Sequence, residues 1–277
     1  MDRSHDFLGS EVSGAQTRVF VLAAPVELTT SYLSGTAAAP AAILEASRQI
    51  ELYNPAIGID LEGAGIETVD TGARDRAAIT SFIRGNRGEL SRGFCCFLGG
   101  EHSITPWILE AMDYGEIGIV WLDAHADLRE QYLGDSQSHA CAARNSLRFG
   151  PIVQIGVRSW SSGEQEFMRT GPRAATFTRW GEQARAALDT LPPRVYLTLD
   201  YDALDPSVIR AVGTPEPGGL SWDDLTGILD HVFGSREVVG MDAVELCPSP
   251  HDPASNFIAA KAVYEAISRH LARKGTV

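Results

Sequence analysis

Ile117-Gly-Ile-Val-Trp-Leu122 runs straight into Asp123-Ala-His-Ala-Asp127. The first six residues are apolar without polar alternation, the pattern of a strand covered on both faces. The five that follow place a metal-capable side chain at every second position, and in extended chain that period puts all three on one side. Working outward, similar apolar runs occur at Arg18–Ala24, Phe94–Leu98, Ile152–Val157, Val195–Leu199 and Val238–Val244. Helical patterns lie between them, including Pro40–Glu51 and a striped C-terminal segment from about Ser255 to Arg273. Alternating strands and helices predict an α/β fold with a largely parallel sheet. The spacing predicts one domain over residues 17–277 and a loosely held arm over residues 1–16.

In a parallel sheet, ligands bind beyond the carboxyl ends of the strands. Three strand ends here are unusually rich in metal-capable groups. Phe94–Leu98 is followed by Gly99-Gly-Glu-His-Ser103, where two glycines allow a tight turn before His102. Asp123, His125 and Asp127 follow the central run, and Asp200-Tyr-Asp202 follows Val195–Leu199 with the same period of two. Any one of these motifs alone is common and weak. Together, four aspartates at buried strand ends would repel one another, by roughly 4 kcal/mol per pair at about 4 Å and an effective dielectric of about 20. Cations or protons must neutralise them. Four carboxylates and two imidazoles are the ligand supply of a two-metal site, and the mixture favours manganese over zinc or magnesium.

Composition narrows the partners. The chain has 277 residues, 36 acidic against 23 basic, and a formal charge of −13. That balance disfavours nucleic acid and anionic membrane surfaces. No apolar run approaches the roughly 20 residues of a membrane span. The polar start Met1–Asp6 lacks the apolar core of a signal peptide, and four cysteines without a CxxC pair suggest reduced thiols. These features predict a cytoplasmic protein. The five tryptophans and the cysteines read as packing residues.

The motifs Gly99–Ser103 (GGEHS), Asp123–Glu130 (DAHADLRE), Ser138–Ala140 (SHA), Leu199–Ser207 (LDYDALDPS) and Gly240–Pro248 (GMDAVELCP) resemble those of the ureohydrolases, the arginase–agmatinase family of binuclear manganese amidinohydrolases. The resemblance implies a three-layer αβα fold around a mainly parallel eight-stranded sheet, and a homo-oligomer, a trimer or hexamer. It implies two Mn²⁺ per chain, with His102 and Asp127 on one ion, His125 and Asp202 on the other, and Asp123 and Asp200 bridging. A metal-bridging hydroxide would be the nucleophile. Asp127, His139 and Glu245 would be catalytic, with Glu245 accepting a guanidinium and His139 moving a proton. Asp242 reads as a supporting residue behind the site.

The substrate implied is a small guanidino compound. Agmatine, hydrolysed to putrescine and urea in polyamine biosynthesis, is the first candidate, because the DLRE and SHA segments look like those of bacterial and archaeal agmatinases. Arg129 points the other way. A guanidinium at the pocket mouth would suit a carboxylate-bearing substrate such as guanidinobutyrate or formiminoglutamate, unless Arg129 pairs with an acid such as Glu130. Arginase activity is a further alternative. The loops Pro25–Thr36 and Asp205–Leu220 are expected to shape the mouth. A non-catalytic binding homologue, a one-zinc deacetylase on the related fold and a phosphoester hydrolase are the competing classes. The complete ligand set and the scarcity of basic residues in the motif segments disfavour them.

Overall fold

The apolar runs become parallel strands because helices cover both of their faces. A computed structural model describes residues 6–9, 12, 16–171 and 173–273. In chain order the elements are β1 (Val19–Ala24), α1 (Ala39–Ser47), β2 (Tyr53–Asn54), β3 (Ile59–Asp60), β4 (Ile66–Asp70), α2 (Arg76–Leu90), β5 (Phe94–Gly99), α3 (Ile104–Met112), β6 (Gly118–Leu122), α4 (Ala142–Ser146), β7 (Ile152–Ile155), α5 (Ser162–Thr170), β8 (Ala174–Phe177), α6 (Glu182–Leu188), β9 (Arg194–Asp200), α7 (Trp222–Ser235), β10 (Glu237–Val244) and α8 (Pro253–Arg273). Eight strands form one sheet in the order β4-β1-β5-β10-β9-β6-β7-β8. Every pairing in it is parallel. β2 and β3 form a separate antiparallel pair.

Successive residues of one strand enter opposite layers. Phe94, Cys96 and Leu98 of β5 join a core with Ile43 of α1, Leu229 of α7 and Ile267 of α8. Cys95 and Phe97 join the other core, with Ile79 and Ile83 of α2 and Ile108 of α3. This is the expected three-layer αβα arrangement, and the period-2 alternation of the strand creates it. The two edge strands, β4 and β8, have no counterpart among the apolar runs. Each is short and only partly buried, so neither needs a continuous hydrophobic stretch.

α1 stops at Ser47 rather than at Glu51. The Ser47 hydroxyl bonds back to the Leu44 carbonyl at 2.7 Å and accepts the Leu8 amide at 2.9 Å. The described part of the N-terminal arm is therefore docked. Phe7, Leu8 and Val12 are buried, and the Phe7 amide donates to Thr68 Oγ1 at 2.8 Å. The rest of the arm expected over residues 1–16 lies outside the described residues.

Strand order matters most for the site. β5, β10, β9 and β6 are consecutive neighbours at the sheet centre. Their carboxyl ends lead into GGEHS, Glu245, Asp200-Tyr-Asp202 and Asp123–Asp127. Four motifs scattered over almost 150 residues of chain thus converge on one edge.

Candidate active site

The turn after β5 is built by close approach. A Cβ on Gly100 would lie 2.0 Å from the Val26 carbonyl oxygen, so only glycine fits. The turn delivers His102 just before α3, buried against the Trp121 ring at a centroid distance of 4.3 Å. His102 Nδ1 lies 3.2 Å from Asp123 Oδ2, 3.2 Å from Asp200 Oδ2 and 3.6 Å from Asp127 Oδ2. His125 Nδ1 lies 2.9 Å from Asp202 Oδ2 and 3.7 Å from Asp123 Oδ1. Two triads result, His102/Asp123/Asp127 and Asp123/His125/Asp202, each with its ligand atoms within 4.8 Å of one another. Asp123 belongs to both. Asp200 stands outside both triads but faces His102, and its other oxygen accepts the Asp202 amide at 2.8 Å. All six residues singled out from the sequence come together.

The histidines are set by what lies behind them. Thr198, Tyr196 and Thr105 all donate hydroxyls to the buried Asp242 carboxylate. With its proton committed to Asp242, Thr198 can only accept from His102 Nε2, 2.8 Å away. Nε2 therefore carries a proton toward Thr198, and Nδ1 is the ring nitrogen turned to the carboxylates. That Nδ1 is buried without a hydrogen-bond partner. A ring nitrogen so placed, facing three carboxylates, fits a cation between them.

Electrostatics agree. Burial raises Asp127 and Asp200 well above the ordinary carboxylate range, and the neighbouring carboxylates push further the same way. Burial works against charge on His125, yet Asp202 and Asp123 push it up to about 12. Burial likewise opposes charge on Asp123, but the two histidines hold that carboxyl below its ordinary value. So close a set of carboxylates needs protons or cations among them, as the repulsion argument requires.

Glu245 leaves β10 at a left-handed φ of 66°, and Asp127 has φ 50°. Such angles are unusual for residues with a Cβ and persist only where the surroundings impose them. At Glu245 they turn the side chain back to accept the His102 amide on Oε1 at 2.7 Å. Among the described residues no Lys or Arg pairs with this half-buried carboxylate. Burial raises it to about 8. It lines a cavity of about 180 Å³ with His125, Asp127, Asp200, Asp202 and His139. The ring of Tyr132 stands edge-on to His139 at 5.9 Å. Burial lowers the affinity of His139 for a proton, which keeps the imidazole neutral.

The sequence model of the arginase family matches residues 17–268. The chain belongs to the arginase family. An N(1)-aminopropylagmatine ureohydrolase of Thermus thermophilus is 37% identical to it over 91% of this chain and 90% of its own length. An agmatinase of Pyrococcus horikoshii is 31% identical over 96% of both chains. The solved agmatine ureohydrolase of Thermoplasma volcanium has a TM-score of 0.85 at 28% identity, covering 100% of this chain and 97% of that one.

Within this arginase-family chain, Arg129 lines the cavity mouth but is already engaged. Its Nε lies 3.6 Å from Glu164 Oε2, and its guanidinium covers the Tyr132 ring at 4.8 Å. The partner is Glu164, which also caps α5, rather than Glu130. Thr30, Ser31, Tyr32 and Leu33 of one mouth loop and Gly213 and Thr214 of the other line the cavity, as expected of both loops.

Several residues around the centre carried no assignment in the sequence. Trp121 is not mere packing: its Nε1 donates to Asp123 Oδ2 at 2.8 Å. Thr198 faces Trp121 in the β9–β6 register and Asp242 in the β9–β10 register. Trp121 and Thr198 each sit two residues before a metal-capable aspartate, on the same strand face, which was the available signal. Glu216 lies 3.9 Å from His125 Nε2, and Arg158 ties the Glu216 carbonyl to that of Asp202.

Proposed function

We propose that the chain hydrolyses a guanidino compound to an amine and urea, with agmatine or its N(1)-aminopropyl derivative as substrate. The observation that carries this reading is Glu245, a half-buried carboxylate without a cationic partner among the described residues, in the cavity lined by ligand residues of both triads. Two manganese ions would be held by His102, Asp123 and Asp127 and by Asp123, His125 and Asp202, with Asp200 beside them. When bound, such a pair supplies Lewis acidity and an activated water at neutral pH.

The chain's own residues do the rest. With one Glu245 oxygen fixed by the His102 amide, the carboxylate can take two parallel N–H bonds from a planar guanidinium only in one orientation. That orientation presents the guanidinium carbon to the acidic cluster. His139, neutral and on the opposite loop, is placed to take the proton released as water attacks the guanidinium carbon and to pass it to the leaving amine nitrogen. Tyr32, Leu33, Tyr132 and Trp160 around the mouth give an apolar sleeve for an alkyl chain. Glu164 already engages Arg129, which weakens that residue as a carboxylate receptor and favours substrates ending in an amine. On the family resemblance, the same proposal takes the enzyme to be a cytoplasmic homo-oligomer of polyamine biosynthesis. Among the described residues no helix is long and apolar enough to cross a membrane.

The test is a manganese-loaded substrate panel of agmatine, N(1)-aminopropylagmatine, arginine, guanidinobutyrate and formiminoglutamate. Urea release from the first two should exceed that from the others. Preference for guanidinobutyrate, or formamide from formiminoglutamate, would hand Arg129 a substrate role. Silence on all five would sink the reading.

A further inference from the structure

Glu101, the middle residue of GGEHS, is fully buried and belongs to neither acidic triad. Four donors converge on it. The Leu28 and Thr29 amides reach Oε2 at 2.7 and 2.6 Å, and the Thr29 and Ser103 hydroxyls reach Oε1 at 3.0 and 2.5 Å. The carboxylate thus pins the loop after β1 to the turn after β5. Thr29 continues the chain of contacts. Its Oγ1 accepts the His139 amide at 3.0 Å and lies 3.1 Å from His139 Nδ1.

A threonine hydroxyl has one proton to give. Here it goes to Glu101, which as a carboxylate can only accept. Toward His139, Oγ1 is then an acceptor, so Nδ1 must be the donor and must carry the ring proton. In a neutral imidazole the other nitrogen is left with the lone pair. The Ser138 hydroxyl approaches the same Nδ1 from 3.4 Å, a longer contact than that of Thr29.

We propose that Thr29 and Glu101 are positioning residues that lock His139 in its Nδ1–H form, so that Nε2 is the nitrogen that exchanges protons in the cavity. The arrangement repeats the Asp242–Thr198–His102 relay, but with the ring reversed: there Nε2 donates to the threonine and Nδ1 faces the carboxylates. One carboxylate–threonine pair turns a ring nitrogen toward the acidic cluster, and the other turns one toward the cavity. The inference rests on the reading of His139 as the proton carrier of the proposed reaction.

The test compares Thr29→Val and Thr29→Ser, with Ser138→Ala as control. In manganese-loaded enzyme, Thr29→Val should lower kcat at least tenfold with KM within about threefold, because general acid–base catalysis contributes on the order of 10²–10⁴-fold. Thr29→Ser should restore turnover to within about threefold of wild type, and Ser138→Ala should leave it there. In the metal-free protein with ¹⁵N-labelled histidine, His139 assigned by comparison with His139→Asn should show its proton on Nδ1 in wild type and Thr29→Ser. Thr29→Val should lose that preference. A wild-type His139 protonated on Nε2, or a folded Thr29→Val with unchanged kcat, overturns the proposal. If wild type releases no urea from any guanidino substrate, the functional reading fails, while the tautomer measurement still decides this one.

Discussion

Glu245 concentrates the chemistry of the site in one side chain. It combines a left-handed backbone, a half-buried carboxyl without a cationic partner among the described residues and a bond from the His102 amide, and the first two are costly unless the site uses them. Glu245→Gln keeps the shape and removes the charge. It should lower turnover by about 100-fold, since misplacing a bound group costs that much, while both metals stay bound. Near-normal turnover would remove Glu245 from the guanidinium. Arg129→Gln should change agmatine turnover by less than about fivefold, because Arg129 is held by Glu164 and Tyr132 and an amine-ended substrate offers its guanidinium no partner. A large rise in KM would contradict that assignment. At this scale the ligands were legible because aspartate and histidine repeat with a strand's period after apolar runs. Thr29, Thr198 and Glu101 were not, because each acts through a partner distant in sequence: Thr29 and His139 are 110 residues apart.

Elements bring those partners together. The turn between β5 and α3 depends on backbone meeting backbone, and a carbonyl cannot step aside as a side chain can. Gly100→Ala should therefore cost about 1–3 kcal/mol as overpacking does, read as a lower melting temperature, and should loosen His102. A melt equal to wild type would show that the turn can yield. At the far end of the chain, Glu265 on α8 is buried and bonded to Asn54, Arg269 and Lys261. Burial opposes its ionisation, but those partners hold it below the ordinary 4.5. A lowered carboxyl stabilises fully above its unfolded pKa, and the contribution is lost as pH falls through the folded value. Glu265→Gln should thus melt below wild type near about pH 7, with the gap closing toward about pH 3. A gap that widens on acidification would reverse the sign of this argument. The central strands were legible as apolar runs. β4 and β8 were not, because an edge strand with one open side carries no such run, and the strand order that unites β5, β10, β9 and β6 is not a local property of any segment.

The whole molecule is organised around a concentration of negative charge at the centre of a sheet. Of a formal charge of −13, the carboxylates Asp123, Asp127, Asp200 and Asp202 are buried at adjoining strand ends, where water screens them little, and the half-buried Glu245 lies beside them. Cations bound only by the native state stabilise it by mass action, by about 2.7 kcal/mol at a hundred times the dissociation constant. Chelation should lower the melting temperature, and readdition of manganese should restore it. An unchanged melt after verified metal removal would mean that protons alone neutralise the cluster. The most direct measurement is a manganese titration of metal-free protein followed by urea release from agmatine and its aminopropyl derivative. Activity should rise with added manganese and break at two equivalents per chain. A break at one equivalent, or urea release that persists without metal, would contradict the two-cation centre.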